Sequence, residues 1–161
     1  MYGGTSDFDF TTNTEIVNLD YLNGQIVQLD NGTKQLYTGV SNGRIVMIIG
    51  KSGTGKSTLA IQLGMNIIRK YKNGLLYLFD FEQNNTKERI RSVSGVSEEY
   101  YKDHCAILRD GISTESVLRT LSKIKELKLA HEEELLIPNE NGIKDENGEI
   151  IKVLPPTVVR I

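Results

Sequence analysis

Hydrophobic positions along the chain fall into short continuous runs, and helix-periodic segments separate these runs. The runs "NGRIVMIIG", "LLYLFD" and "TVVRI" are typical of strands that are covered on both faces of a parallel sheet. A shorter run, "CAIL", predicts a fourth strand. Because strands and helices alternate, the pattern predicts an α/β fold with a mainly parallel sheet flanked by helices.

Three helices are predicted between and after these runs. From Ser57 to Tyr71 apolar residues recur at helical spacing. Asn85 with Glu88 resembles a capping arrangement for a short helix from Thr86 to Val93. The residues that can cap the third helix are Ser113 and Thr114, and its apolar stripe is Val117, Leu121, Ile124 and Leu127.

Two β-hairpins are predicted near the ends of the chain. Residues Gln25–Leu29 and Lys34–Thr38 alternate around Asn31-Gly32, which is a strong turn signal. The segment "KDENGEIIKV" shows a similar arrangement around Asn147-Gly148. The core is therefore expected to carry an N-terminal and a C-terminal hairpin.

Length, charge and cysteine content narrow the class of protein. A chain of 161 residues fits one domain. Residues 1–14 are polar and are expected to form a flexible arm before a core that spans residues 15–161. The net charge of −2 gives no overall electrostatic footprint for nucleic acid. The single Cys105 rules out an internal disulfide, and no membrane span or signal peptide is recognised, so the cytoplasm is the expected location.

The run "GKSGTGKS", Gly50 to Ser57, fits the phosphate-binding pattern G-x-x-x-x-G-K-[ST] at every fixed position. Its glycines let successive backbone N–H groups turn toward one anion, and the loop leads into a helix N-terminus, which favours phosphate. Lys56 supplies a positive charge for the β- and γ-phosphates of a nucleotide, and Ser57 offers a hydroxyl to Mg²⁺. The predicted nucleotide-binding residues are Gly50, Lys51, Ser52, Gly53, Thr54, Gly55, Lys56, Ser57 and Thr58.

A second candidate site is acidic. Asp80 and Glu82 stand at the carboxyl end of the predicted strand "LLYLFD", where parallel sheets place their ligands. A carboxylate at this position can hold Mg²⁺ or orient the water that attacks a phosphate. Asp80 is therefore a predicted metal ligand together with Ser57. The alternative is that both acidic residues merely cap the following helix.

The stretch "GRIVMIIGKSGTGKSTLAIQLGMNIIRKYKNGLLYLFDFEQ" resembles the ATPase core of the RecA family, which includes bacterial, phage (UvsX-like) and archaeal/eukaryotic recombinases. In recombinases the strand after the phosphate-loop helix ends in Asp-x-Glu, and the Glu activates the hydrolytic water. The sequence "DFE" matches that pattern. The resemblance therefore implies that Glu82 is the general base, that Lys56 is catalytic and that Asp80 supports them. It covers about Thr12 to Ile161, with specific motifs only between Gly43 and Gln83.

The resemblance also implies cofactors and partners. ATP and Mg²⁺ would be the cofactors, ATP and ADP the bound nucleotides, and single- or double-stranded DNA the partner of a homo-oligomer. In the family, a strand like "TVVRI" runs into the Walker B aspartate, whereas this sequence ends at Ile161. The expectation is an N-terminal portion of a longer ATPase, incomplete at the C-terminus, that contacts DNA through parts absent here and hydrolyses ATP weakly or not at all.

Other classes of P-loop protein remain as alternatives. One is the ATPase core of a DnaB-type replicative helicase, although such helicases more often end the corresponding strand with a Ser-Leu-Glu-like sequence. An ABC-type ATPase would show a Ser-Gly-Gly-Gln signature and a small-molecule kinase a basic lid, and neither is found in the sequence. The non-enzyme alternative is a nucleotide-binding assembly module without catalysis.

Overall fold

A computed structural model describes residues 11–12, 14–22, 24–28, 32–41, 46–71, 73–109, 111–138, 144–145 and 147–161. The chain divides into two compact units, Met1–Met47 with Pro138–Lys152 and Ile48–Ile137 with Val153–Ile161. In chain order the elements are β1 (Thr11–Thr12), α1 (Val17–Leu22), β2 (Gln25–Gln28), β3 (Lys34–Tyr37), β4 (Val40–Ser41), α2 (Lys56–Ile68), β5 (Leu75–Phe79), α3 (Lys87–Ser94), α4 (Glu98–His104), β6 (Cys105–Leu108), α5 (Thr114–Ala130), α6 (Glu132–Leu135), β7 (Ile137–Pro138), β8 (Lys152–Val153) and β9 (Thr157–Arg160). Among the described helices, none is long and apolar enough to cross a membrane.

The second unit is built on a parallel three-stranded sheet with the order β6-β5-β9. In its register, Leu76 of β5 lies opposite Cys105 on one side and Val158 on the other. The predicted strands "LLYLFD", "CAIL" and "TVVRI" are therefore confirmed as neighbours in one sheet. Since helices flank this sheet, the predicted α/β class with a mainly parallel sheet is confirmed as well.

Helix α2 provides the main packing surface against the sheet. The buried core cluster consists of Ile61, Met65, Ile68, Leu76, Leu78 and Ile90, which come from α2, β5 and α3. At Gly64 an added Cβ would lie 2.8 Å from Leu76 Cδ1. The absence of a side chain at this position thus lets α2 approach β5 closely, and the close packing fixes the helix whose N-terminus carries the phosphate loop.

Side-chain caps define the starts of the other helices in this unit. Thr86, not Asn85, caps α3 by accepting a hydrogen bond from the backbone N–H of Arg89, so the predicted cap at Asn85 is wrong by one residue. Ser113 caps α5 in a capping box, as one of the two predicted alternatives proposed. Helix α4 was not predicted, and it begins where Ser97 accepts from the backbone of Tyr100.

One predicted strand is absent from the described residues. Residues 46–50, the described part of "NGRIVMIIG", form no regular secondary structure. Val46, Met47 and Ile49 are 58%, 77% and 84% exposed, so the prediction of a doubly covered strand is wrong for these residues. The physical reason is the lack of a neighbour, since β9 pairs only with β5 within the described part of the sheet and no strand there covers the apolar run.

The first unit contains both predicted hairpins. Strands β2 and β3 pair antiparallel, with Gln25 opposite Tyr37, which confirms the N-terminal hairpin. The C-terminal hairpin is held by a bridge between Lys144 and Ile150. In the predicted arm, Thr11 and Thr12 form β1, which pairs with β4, whereas residues 1–10 and 13 lie outside the described residues.

Candidate functional site

The phosphate loop lies in the second unit and leads directly into α2. Gly53 and Gly55 adopt left-handed backbone conformations, with φ of 77° and 86°. Gly55 is the N-cap of α2, and no side chain caps this helix among the residues that the structure describes. The first backbone N–H groups of α2 are therefore left for an external acceptor, and an anion is the ligand that such a helix start favours.

The loop is closed by hydrogen bonds to a single carbonyl group. Lys56 Nζ and Thr54 Oγ1 each donate to the carbonyl oxygen of Lys51 at 2.8 Å. A Cβ at Gly50 would lie only 2.9 Å from Thr54 Oγ1, so glycine suits this closure. The ammonium group of Lys56 is thus held at the loop by an acceptor that a phosphate oxygen can replace. Of the predicted nucleotide-binding residues, Lys56 and Ser57 are half-buried and the others are exposed.

Three charged residues share the carboxyl edge of the sheet. Asp80 follows β5, Arg109 follows β6 and Arg160 ends β9. The register places Phe79 opposite Leu108 and Leu78 opposite Arg160, which brings these strand ends together. This is the edge at which parallel sheets bind their ligands.

Arg160 connects this edge to the phosphate loop. Its Nη2 donates a hydrogen bond to Ser57 Oγ at 2.8 Å. The hydroxyl that the sequence assigns to Mg²⁺ therefore accepts from a guanidinium in this structure.

Asp80 is only 1% exposed and serves as an acceptor within the turn that follows β5. Its oxygens accept from the backbone N–H of Asn85 at 2.9 Å and from Asn85 Nδ2 at 2.6 Å. Arg109 Nε lies 3.7 Å from Asp80 Oδ2. Burial by itself would raise the pKa of Asp80, but the hydrogen bonds from Asn85 and the charge of Arg160 outweigh it, so that the pKa lies below its ordinary value. Asp80 is thus an ionised anchor of residues 80–85, and its role as a metal ligand stays a prediction.

Glu82 lies in the same turn but in a different environment. Its side chain is exposed, and Oε2 accepts a long hydrogen bond of 3.3 Å from Asn84 Nδ2. The neighbouring Gln83 has a positive φ of 53°, which shows that the turn is tightly wound at this point. An exposed carboxylate is free to accept a proton from water, so the local chemistry is compatible with the predicted role as a general base.

Sequence reasoning missed three residues of this site, which are Asn85 as a partner of Asp80, Arg109 and Arg160. Asn85 was interpreted as a helix cap, and Arg109 stands in no motif. Arg160 did give a signal, because it is the one charged residue in an apolar strand. A charge at such a position requires a partner, but the sequence does not reveal which one.

The donor set suits a Mg²⁺ ion that arrives with a nucleotide. No group of three metal-binding side chains was found in the part of the chain that the structure describes. Nucleotide-bound Mg²⁺ needs only one or two protein ligands, because phosphates and waters complete its octahedron. The half-buried hydroxyl of Ser57 at the start of α2 can serve as such a ligand, whereas the oxygens of Asp80 already accept several hydrogen bonds.

A glycine-rich loop at an uncapped helix start, beside the carboxyl edge of a parallel sheet, defines a P-loop nucleotide-binding protein with a RecA-like fold. A family model described as "ATPase: KaiC" matches residues 12–136, which is more than half of the chain. The chain therefore belongs to the KaiC-type ATPase family, whose members are P-loop ATPases of the RecA fold. No curated protein and no solved structure gives a significant match.

Proposed function

We propose that the phosphate loop Gly50–Ser57 binds Mg²⁺·ATP and that the chain belongs to a RecA-like ATPase that acts in DNA recombination or repair. The main observation in support of nucleotide binding is the start of α2, where left-handed Gly53 and Gly55 precede a helix without a side-chain cap. Such a helix start offers several N–H donors to one phosphate group. Membership in an ATPase family supports the same ligand class.

Nucleotide binding requires one exchange of partners in the loop. Lys56 leaves the carbonyl of Lys51 and donates to phosphate oxygens instead, which exchanges a neutral acceptor for a charged one. Ser57 would hold the metal through its hydroxyl once Arg160 has released it. The metal, when bound, neutralises phosphate charge and polarises the bond that breaks.

For hydrolysis, the proposed proton acceptor is Glu82. Water attacks the γ-phosphorus, a new O–P bond forms, the bond to the β-phosphate oxygen breaks, and Glu82 accepts the proton that the water gives up. Asp80 contributes indirectly, because it anchors the turn in which Glu82 lies through its bonds to Asn85.

The DNA-linked role is supported by the order Asp80-Phe81-Glu82 at the end of β5, as in recombinases. A DnaB-type helicase core and an assembly module without catalysis are the alternatives. Turnover of ATP by the full-length protein, measured with and without single-stranded DNA, tests this part of the proposal. Turnover that DNA leaves unchanged would contradict it, whereas stimulation would support it.

Nucleotide binding is tested by titrating a fluorescent ATP analogue in the presence of Mg²⁺. Lys56→Ala removes a charge-assisted hydrogen bond, so binding is expected to weaken by at least about tenfold. The matched control is Lys125→Ala, which removes an equal charge from an exposed position on α5 of the same unit; its affinity is expected to stay within about twofold. Equal losses in both variants would show that general charge, and not the specific position of Lys56, attracts the nucleotide.

A further inference from the structure

Arg160 occupies an unusual position for a charged residue. It is half-buried at the end of β9, a strand that is otherwise Thr and Val. Val158 lies two residues earlier, on the same face of the strand, and its Cγ1 would be 3.4 Å from a Cβ at Gly64 of α2. The face of β9 that carries Arg160 is therefore the face that packs on α2, and this packing brings the guanidinium to the helix start.

The contact with Ser57 is electrostatically unfavourable unless an anion accompanies it. A guanidinium always carries its charge and can only donate, so Ser57 Oγ is the acceptor at 2.8 Å. The N-terminus of a helix has a partial positive charge, and a cation at that end is repelled. The charge of Asp80 offsets part of this repulsion. Phosphate groups bound at the loop would offset more of it.

A metal ion at Ser57 would meet the same guanidinium. Mg²⁺ coordinates through an oxygen lone pair at about 2.1 Å, and Arg160 already directs its N–H at that oxygen. Two cations this close repel each other strongly, particularly at a half-buried site. Arg160 and Mg²⁺ therefore compete for the hydroxyl of Ser57 and for the negative charge of the nucleotide.

We propose that Arg160 acts as a built-in substitute for Mg²⁺ at Ser57, so that the chain binds nucleotide without metal while Arg160 is in place and binds Mg²⁺ only by displacing it. This inference rests on the proposed nucleotide binding and adds a regulatory feature to the same site. It makes Arg160 a positioning residue that sets how strongly nucleotide affinity depends on Mg²⁺.

The test is the dissociation constant of fluorescent ADP measured in EDTA and in saturating Mg²⁺. For Arg160→Ala, binding in EDTA is expected to weaken by about tenfold or more, because a charge-assisted contact is lost. Binding in Mg²⁺ is expected to change by less than about threefold, since removal of the competing cation compensates. The ratio of the dissociation constant in EDTA to the dissociation constant in Mg²⁺ is therefore expected to rise in the variant.

Two further variants distinguish the effect of the charge of Arg160 from that of its hydrogen bond and from a general loss of positive charge. Arg160→Gln keeps a hydrogen-bond donor for Ser57 without the charge, and it is expected to behave like Arg160→Ala. It also carries the test if Arg160→Ala fails to fold. Arg119→Ala removes the same charge from an exposed ion pair on α5, and the ratio of the wild type is expected to persist.

Each outcome has a distinct meaning. An unchanged ratio in both Arg160 variants would overturn the inference, because a merely structural tie between β9 and α2 would alter binding equally in both buffers. If the wild type binds nucleotide neither in EDTA nor in Mg²⁺, both the proposed function and this inference are overturned. Binding of the wild type in Mg²⁺ alone would overturn the inference but leave the proposed function intact.

Discussion

Two turns of the second unit lead into helices, and they are built in different ways. The first, at residues 50–55, precedes α2, is exposed and depends on left-handed glycines and on hydrogen bonds within the loop. The second, at residues 80–86, precedes α3 and depends on the buried carboxylate of Asp80. The first turn thus presents unpaired donors, whereas the second ties Asn85 to the carboxylate of Asp80.

The difference shows that the two parts of the site are held in different ways. The phosphate loop depends on its local backbone conformation, whereas the second turn depends on buried side-chain contacts. A loop that must receive phosphate keeps its N–H groups free, and glycine gives the backbone that freedom. A turn that must hold an exposed carboxylate in place needs a rigid anchor, and a buried charge with several partners provides one. In the proposed mechanism Asp80 stabilises the fold and Glu82 accepts the proton, although both are acidic and lie two residues apart.

The largest effect on stability is expected for Asp80→Asn. The substitution removes the charge that faces Arg109 and Arg160 and disturbs the hydrogen bonds from Asn85. Loss of one partner from a buried charged network typically costs about 3 kcal/mol or more. Urea denaturation of the wild type and the variant measures this difference as a shift in the midpoint at constant slope.

Asp103→Asn is the matched control for this prediction, since Asp103 is an exposed carboxylate in α4 of the same unit. Its free energy of unfolding is expected to stay within about 0.5 kcal/mol of the wild type. If both variants lose the same small amount, Asp80 is not an anchor and the contrast between the two turns fails.

A smaller loss is expected for Gly55→Ala in the phosphate loop. The backbone φ of 86° disfavours any residue with a Cβ, and such a conformation costs about 1–2 kcal/mol. Apart from the two chain neighbours, no heavy atom of the described residues lies within 4 Å of an added Cβ, so the cost is one of backbone conformation. Thermal unfolding would measure this loss of stability, and nucleotide titration would measure the accompanying change in affinity. For thermal unfolding, Ser52→Ala at an exposed position of the same loop serves as the control, and an equal loss of stability there would exclude the conformational explanation.

Much of the fold could be predicted because its signals are local. Strands β5, β6 and β9 are continuous apolar runs, and α2 and α5 have helical periodicity. Helix α4 was missed because "EEYYKDH" has no apolar stripe, and it depends instead on the Ser97 cap and on an ion pair of 2.5 Å between Glu98 and Lys87. The strand predicted at residues 46–50 was wrong for the opposite reason. Its local apolar signal is strong, but it lacks a neighbouring strand in the described sheet.

The residues of the candidate site likewise fall into those that a local sequence signal could predict and those that it could not. The positions of the phosphate loop could be predicted because the motif specifies a backbone shape within eight residues. The contact between Arg160 and Ser57 could not, because 103 positions separate the two residues and only the register of β9 on β5 brings them together. For the same reason no local pattern pairs Arg109 with Asp80.

Acid should weaken the second turn, through the titration of Asp80. Its pKa in the folded chain lies below the ordinary value of 3.8, so the folded state binds fewer protons than the unfolded state. The stabilisation is complete above pH 3.8 and is lost as the pH falls through the lower pKa of the folded chain. Urea midpoints at about pH 6 and about pH 3 should therefore differ more for the wild type than for Asp80→Asn.

Glu98 titrates in an overlapping range and must be separated from Asp80. Its carboxylate accepts hydrogen bonds from Lys87 and Lys102, which lower its pKa from 4.5 to about 2. Its contribution to stability is likewise lost as the pH falls from 4.5 toward about 2, but its side chain is 40% exposed and salt should screen it. Measurements in the Glu98→Gln background isolate the effect of Asp80. If Asp80→Asn does not reduce the acid sensitivity in this background, Asp80 is not an ionised anchor.

The smallest effect on stability is expected for Glu82→Gln, although the effect on turnover is large. Glu82 is exposed and has one long hydrogen bond to Asn84, so the free energy of unfolding should change by no more than about 0.5 kcal/mol. Nucleotide affinity should not change, whereas any ATP turnover should fall by about 100-fold or more, because the proton acceptor is lost. Glu133→Gln, an exposed substitution on α6, should leave both quantities unchanged. A stable, nucleotide-binding Glu82→Gln that still turns over ATP would assign the proton acceptor to another residue. A strongly destabilised variant would make Glu82 a structural residue like Asp80, and the two acidic residues would then no longer divide anchoring and chemistry between them.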